Sequence, residues 1–128
     1  MKNNHTYRKL LVWQKSMTLV TEFYREVKRL PSEELYALTS QIKRSAVSIP
    51  SNIAEGYGKD GTKDYLRFLN IAMSSLFELQ TQIEIAYNLS YLKEDYFNKL
   101  YASTREIECM LTSFIRKIKG WNFETLKL

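Results

Sequence analysis

The stretch that decides the fold is YLRFLNIAMSSLFELQTQIEIA, residues 65–86. Its apolar residues recur at alternating steps of four and three, the heptad spacing of an α-helix that packs against other helices. The residues of this stripe are Tyr65, Leu69, Ala72, Leu76, Leu79, Ile83 and Ala86. The pattern predicts a long helix with one side buried in a helical core.

Three further segments show helical spacing of the same kind. In the first, the predicted buried side is Trp13, Met17, Val20, Tyr24 and Val27. In the second, it is Leu35, Leu38, Ile42, Ala46, Ile49 and Ile53. In the last, it is Phe97, Leu100, Thr104, Ile107, Leu111, Phe114 and Ile118. The chain is therefore expected to form four amphipathic helices.

The breaks between these segments are short. Expected boundaries are Pro31 after the first helix, Ser32 as N-cap of the second, Gly56 or Gly58 at its end, Thr62 as N-cap of the third and Gly120 at the end of the fourth. Short connections make consecutive helices antiparallel neighbours. The fold class expected is all-α, an up-down-up-down antiparallel four-helix bundle, forming one domain over residues 1–128 with flexible tails at 1–8 and 121–128.

Pro50 falls inside the second helical pattern, where proline removes a backbone donor and clashes with the preceding turn. A kink at Pro50 is the expected result, and the alternative is a break at Ile49 that would give five helices. Neighbouring polar side chains, Ser48 and Asn52 among them, are expected to satisfy the carbonyl that Pro50 leaves free on Ala46.

The composition excludes several kinds of site. Cys109 is the only cysteine, so no intramolecular disulfide can form, and His5 is the only histidine. We therefore expect no metal site, no cofactor and no catalytic residues, with Cys109 as a buried, inert thiol. No segment has the length of a secretory or membrane-spanning apolar run, which predicts a cytoplasmic protein without a membrane partner. An enzyme would have to rely on two unassigned carboxylates, Glu55 and Glu78.

The net charge of +5 is uneven along the chain, because residues 1–30 hold seven Lys or Arg against two acids. Lys15, Arg25 and Arg29 fall opposite the Trp13 stripe and form a candidate nucleic-acid-binding surface. Glu22 and Glu26 lie on the same side and dilute it. A solvated helix surface without a ligand is the alternative reading of these cations.

The third helix also carries apolar residues outside its buried stripe, notably Leu66, Met73 and Phe77. A helix that is apolar around most of its circumference must be covered by something. These residues are predicted to form an oligomer interface, and the alternative is a core stripe that is simply wide.

Three stretches carry a resemblance to a known family: VWQKSMTLV at 12–20, ELYALTSQIKRSAVSIPSNIAEGYG at 34–58 and KDYLRFLNIAMSSLFELQTQIEIAYNLSYL at 63–92. In order and spacing they resemble the bacterial 23S rRNA intervening-sequence proteins, to which the accessory variability protein of diversity-generating retroelements is related. The resemblance implies a four-helix bundle that assembles into a homopentamer and has no enzymatic activity. It implies RNA or DNA, and a reverse transcriptase or another protein, as candidate partners.

The resemblance also marks individual residues. Lys43 and Arg44 occupy the position of a basic pair in the family and join the candidate nucleic-acid contacts. Ala37 and Ser90 stand where the family commonly has glycine, at tight positions of the backbone. The function expected is a non-enzymatic scaffold that binds RNA or DNA without sequence readout, and the alternative is a scaffold that binds only proteins.

Overall fold

The computed structural model describes residues 6–127, and it describes side chains from residue 6 to residue 120. Four α-helices occupy most of this range: α1 (Leu11–Glu26), α2 (Leu38–Tyr57), α3 (Thr62–Asn88) and α4 (Glu94–Lys127). No strand occurs between residues 6 and 127. No helix in this range is long and apolar enough to cross a membrane.

The four helices close around one core. α1 packs on α2 and α4, and α3 packs on the same two helices from the opposite side. Each helix contributes fully buried side chains, including Phe23, Ile42, Leu76 and Leu111. Removing such side chains from water is the main favourable contribution to folding. The all-α four-helix bundle expected from the sequence is confirmed.

Polar contacts fix the register of α2 against α3. Ser45 donates to Gln82 at 2.7 Å, and the hydroxyls of Ser48 and Ser75 lie 2.7 Å apart. Residue numbers rise along α2 while they fall along α3, which is the order expected of antiparallel neighbours. The ion pairs between α1 and α4 follow the same order.

The face that α1 buries differs from the predicted one by one position. The buried residues of α1 are Val12, Ser16, Leu19 and Phe23. Of the predicted set, Val27 is buried, Trp13 and Val20 are half-buried, and Met17 and Tyr24 are exposed. Two adjacent stripes of α1 have nearly the same spacing, and the core takes the one that holds Phe23. The other stripe is left beside α2.

The second helix begins later than predicted. Ser32–Glu34 forms a turn of 3-10 helix, and α2 starts only at Leu38, so Ser32 is not its N-cap. Glu34 instead accepts the Leu38 N–H at 3.3 Å and the Tyr91 hydroxyl at 2.8 Å. The predicted burial of Leu35 is wrong because this residue lies in the connection and is exposed.

Other boundaries agree or shift by small amounts. α2 ends at Tyr57, directly before Gly58, as expected. The N-cap of α3 is Gly61 rather than Thr62. α4 continues through Gly120 to Lys127 instead of ending there. Most of the two predicted tails lies outside the residues whose side chains are described.

Pro50 lies within the continuous helix α2, so the alternative of a break at Ile49 is wrong. The kink stays a prediction. Asn52 donates to the carbonyl of Ser48 at 2.8 Å and to its hydroxyl at 2.9 Å, so it does not serve the carbonyl of Ala46 as predicted. The polar groups beside Pro50 therefore join α2 to α3 through Ser48.

Candidate nucleic-acid interface

Two of the predicted nucleic-acid contacts are already engaged by acids. Lys15 pairs with Glu106 of α4 at 3.4 Å. Arg29 pairs with Glu26 at 2.8 Å, and its guanidinium lies 3.5 Å from the ring centroid of Tyr96. The hydrogen bond that Arg29 donates to Glu26 raises the pKa of Arg29 above its ordinary value. Exposed pairs of this kind add little stability, but they cancel charge locally.

The other three predicted cations lie near one end of the bundle. Lys43 sits 5.0 Å from the ring centroid of Tyr24, across the α1–α2 contact. Arg25 and Arg44 are exposed and have no ion pair among the side chains of residues 6–120. This end is formed by the end of α1, the start of α2, the end of α3 and the start of α4.

We call this end the balanced end, because its charges cancel. Its seven cations are Arg25, Lys28, Arg29, Lys43, Arg44, Lys93 and Lys99. Its seven acids are Glu22, Glu26, Glu33, Glu34, Glu84, Glu94 and Asp95. Four of the five predicted cations are exposed and Lys43 is half-buried, and all of them except Lys15 lie at the balanced end, where neighbouring acids offset their charge.

The opposite end carries a net positive charge, and we call it the basic end. It combines the start of α1, the end of α2, the start of α3 and the last turns of α4 before residue 120. Its eight cations are Arg8, Lys9, Lys59, Lys63, Arg67, Arg116, Lys117 and Lys119. Its three acids are Glu55, Asp60 and Asp64. This concentration of charge was not predicted from the sequence.

Contacts between the helices show that the basic end is one continuous region. An apolar cleft joins Leu10 and Val12 of the α1 region to Phe114 and Lys117 of α4. The Tyr65 ring at the start of α3 lies 5.8 Å from the Phe114 ring. These contacts bring together the start of α1, the start of α3 and the part of α4 around Phe114.

Most cations of the basic end remain available. Arg67 pairs with Asp64 at 3.7 Å, and Lys59 lies 5.2 Å from the centroid of the Phe68 ring. The others have no ion pair among residues 6–120, and those of α4 are exposed. The Phe68 ring is buried, so it cannot stack on a base. The chemistry offered is neutralisation of phosphates rather than readout of bases.

The predicted oligomer residues divide into two groups. Leu66 and Met73 are half-buried and pack against the hydrophobic core, as a wide core stripe requires. Phe77 leaves 48% of its surface exposed. Only Phe77 of the three is thus a large exposed apolar side chain.

The fold and these surfaces can now be compared with known proteins. The sequence profile of the family described as "23S rRNA-intervening sequence protein" matches residues 8–113. The chain belongs to this family. A crystal structure of a protein of unknown function from the S23 ribosomal protein family of Bacteroides thetaiotaomicron is similar to it, with a TM-score of 0.77 and 26% identity over 82% of this chain and 98% of the other. Among curated proteins, none matches.

Within this member of the 23S rRNA-intervening sequence protein family, the SIPSNIAEG segment at 48–56 has a packing role. Ser48 bonds Ser75 across the α2–α3 contact. At Gly56, an added Cβ would lie 2.8 Å from the Cβ of Phe68 and 3.1 Å from the Tyr65 ring. The segment therefore brings the end of α2 against the start of α3, where the basic end is built.

The three side chains considered for reactivity in the sequence, Cys109, Glu55 and Glu78, all lie at the surface. Cys109 was expected to be buried, but it is exposed beside the apolar cleft between α1 and α4. Glu55 and Glu78 are both exposed. Burial raises the pKa of Tyr65 to about 12, so its hydroxyl stays protonated at neutral pH. Among the residues described, no three His, Cys, Asp or Glu side chains are grouped to hold a metal ion.

Proposed function

We propose that this protein is a non-enzymatic, oligomeric four-helix bundle that binds RNA or DNA through the phosphate backbone. The observation that carries the proposal is the uneven charge of the bundle, with eight cations against three acids at the basic end and equal numbers at the balanced end. A surface of one sign attracts polyanions and raises their association rate.

The expected binding does not depend on nucleotide sequence. The cations of the basic end are Lys and Arg on the surface of a rigid helical frame, and among the side chains of residues 6–120 no exposed aromatic one stands beside them to stack on bases. Phosphate contacts release counterions, so the affinity falls steeply as salt rises. Oligomeric assembly is supported by exposed apolar side chains such as Phe77. It is also what the family resemblance implies.

A pair of charge-reversal variants tests the location of the site. The basic-end variant is Lys63→Glu, Arg116→Glu and Lys119→Glu, and the control is Arg25→Glu, Lys28→Glu and Lys93→Glu. Both sets replace exposed cations and change the net charge equally. The measurement is the anisotropy of labelled RNA and DNA duplexes across a salt series.

At about 0.1 M salt we expect the basic-end variant to lose at least tenfold in affinity and the control to stay within about threefold, because long-range charge alone is screened within about 10 Å at this salt concentration. A loss confined to the control would place the site at the balanced end. Equal losses would indicate a net-charge effect, and no binding by the unmodified protein would refute the proposal.

A protein partner is the second candidate, and one patch favours it. Leu35, Tyr36 and Leu89 are exposed at the balanced end, where the Tyr91–Glu34 hydrogen bond joins the two connecting segments. Tyr36 leaves 92% of its surface exposed. Exposed aromatic side chains are frequent anchors of protein interfaces. If duplex binding is absent while Tyr36→Ala abolishes capture of a defined partner, this candidate replaces the first.

A further inference from the structure

The apolar cleft between α1 and α4 has a volume of about 460 Å³. Small-molecule sites usually have volumes of about 300–1,000 Å³ and are lined mainly by apolar side chains with a few polar groups. Leu10, Val12, Met110 and Phe114 are buried or half-buried and form an apolar floor of the cleft. Binding of phosphates by surface cations makes no use of this floor.

The path of the chain before α1 explains why the cleft is open. Residues Tyr7–Lys9 form a turn of 3-10 helix, and the Tyr7 ring lies 5.0 Å from the Trp13 ring. Tyr7 and Trp13 line a groove together with Pro50 of α2. The segment therefore turns toward α2, so it does not cover the α4 side chains around Phe114.

The charge of the cleft has one sign. Among the described residues that line it, Lys117 alone is charged, and this side chain is exposed and has no ion pair within residues 6–120. Two acids precede the cleft on α4, and both are engaged elsewhere. Glu106 pairs with Lys15 at 3.4 Å. Glu108 accepts from the side-chain amide of Gln80 on α3 at 3.0 Å. An anion in the cleft therefore meets a cation and no carboxylate of the lining.

The cation and the apolar residues are arranged lengthwise. Lys117 and Cys109 both line the cleft and are separated by roughly 12 Å along α4 at 1.5 Å per residue. The Lys15–Glu106 pair places Leu11 at about the level of Met110, one helical turn nearer the basic end. The cleft therefore has a charged end at Lys117 and an apolar end between Leu11 and Met110.

We infer that this cleft binds a free medium-chain carboxylate, with its head at Lys117 and its alkyl chain along Phe114 and Met110. One cation matches a head group with one negative charge. Leu11 is the one large apolar residue of the described lining that is mostly exposed, so the apolar surface is recessed. A recessed surface suits a single inserted chain rather than the plane of a bilayer. The site is independent of nucleic-acid binding and of assembly.

Titration calorimetry of the full chain with decanoate, below the concentration at which it forms micelles, tests the ligand class. Each methylene buried raises the affinity about fourfold, so decanoate is expected to bind roughly 50-fold more tightly than hexanoate. Decylamine has the same chain with a cationic head and should bind about tenfold more weakly than decanoate, because Lys117 attracts one head group and repels the other. Absence of decanoate binding, or equal affinity for either comparison compound, would overturn the proposal.

A charge-removing variant tests the position of the head group. Lys117→Met keeps an apolar stem and is expected to weaken decanoate binding by about threefold to fivefold, as for an exposed ion pair, while binding of neutral decanol stays unchanged. Lys119→Met is the matched control, because it removes an exposed cation of the same helix that does not line the cleft. Equal weakening by the two variants would show a general charge effect and overturn the assignment to Lys117.

A second variant tests the position of the alkyl chain. Leu11→Asp places a carboxylate beside the apolar end of the cleft and should abolish decanoate binding. An acid in the first turn of a helix is favourable, so α1 should persist, and circular dichroism checks this. Unchanged decanoate affinity in this variant would place the alkyl chain elsewhere.

Cys109 reports directly on occupancy of the cleft, since it is the only cysteine and is exposed. Decanoate at saturation is expected to slow its alkylation by neutral iodoacetamide by about fivefold or more, because thiol reactivity depends on access. Mass spectrometry follows the reaction, and Leu11→Asp should show no protection. Unchanged alkylation with decanoate bound would overturn the site. So would a thiol that does not react in the folded protein without decanoate, because another chain would then cover the cleft.

A bilayer is distinguished with phosphatidylglycerol vesicles. The protein should bind decanoate in solution, and Leu11→Asp should leave any sedimentation with vesicles unchanged. Sedimentation that Leu11→Asp abolishes, in a protein that does not bind decanoate, would assign the cleft to a membrane surface and overturn the proposal.

Discussion

Gly56 is the residue at which the α2–α3 contact has least room. A Cβ there would meet the Cβ of Phe68 at 2.8 Å, and a Cβ cannot rotate away from its backbone. Overpacking of this kind costs about 1–3 kcal/mol, and we expect Gly56→Ala to lie near the upper limit in urea unfolding. Gly120→Ala is the control. Its added Cβ meets nothing within 4 Å, so it should stabilise the protein by about 1 kcal/mol. Equal effects of the two substitutions would contradict this account.

Ser90 has φ = 63°, the only positive φ at a non-glycine residue in the described range. It follows α3 in a Schellman arrangement, in which Ser90 N–H bonds the Tyr87 carbonyl and Tyr91 N–H bonds the Ala86 carbonyl, each at 2.9 Å. The left-handed conformation costs a residue with a Cβ about 1–2 kcal/mol. A glycine at this position would avoid this cost.

We therefore expect Ser90→Gly to raise the free energy of unfolding by about 1 kcal/mol, somewhat reduced by the greater freedom of glycine in the unfolded chain. The measurement is the urea midpoint at constant slope. Ser90→Ala serves as control, because it removes the hydroxyl and keeps the Cβ, and it should not stabilise. Stabilisation by both substitutions would assign the effect to the hydroxyl instead.

At the scale of the helices, the number and type of elements could be predicted from the sequence because α2, α3 and α4 each have one dominant apolar stripe. All but one member of the α3 stripe is fully buried, and Tyr65 is half-buried. The prediction of the buried side of α1 was wrong because two neighbouring stripes have similar spacing, and spacing alone does not decide which of them faces the core. The correct stripe includes the polar residue Ser16, so its apolar spacing is interrupted. Ser16 can be buried because its hydroxyl donates to the Val12 carbonyl at 2.7 Å.

Because α1 buries the stripe that holds Phe23 and not the one that holds Tyr24, substitutions at these two adjacent aromatic residues should differ in how much they destabilise the protein. Phe23 is fully buried, and truncation of such a side chain costs about 3–5 kcal/mol, so Phe23→Ala should unfold at much lower urea. Tyr24→Ala should cost less than about 1 kcal/mol, mainly through the lost contact with Lys43. The comparison is made at a protein concentration at which light scattering gives a single chain for both variants, so that assembly does not contribute. Equal losses of stability, or a larger loss for Tyr24→Ala, would indicate that the stripe predicted from the sequence is the buried one.

At the scale of the whole molecule, the candidate site could not be read from segment charges. Residues 1–30 hold most of the excess charge in the sequence, yet Arg8 and Arg29 flank α1 and therefore lie at opposite ends of the bundle. The basic end joins cations that are far apart in the chain, such as Lys9, Lys63 and Lys119. The acids that neutralise the balanced end come from α1, from the 3-10 turn Ser32–Glu34, from α3 and from α4. Charge per segment therefore could not indicate which end of the bundle carries the positive excess.

The dependence of duplex affinity on salt measures how many copies contribute to one binding event. A single basic end holds eight cations, so it neutralises at most eight phosphates and gives a slope of log affinity against log salt of roughly −7 for DNA. The proposed oligomer would bring the basic ends of several copies to one duplex, so the assembled protein is expected to give a steeper slope than a variant that stays a single chain, together with a higher affinity at low salt. Both proteins carry the same cations on each chain, so the difference reports the arrangement of copies. Equal slopes would show that each bundle binds its duplex alone, with the basic ends held apart.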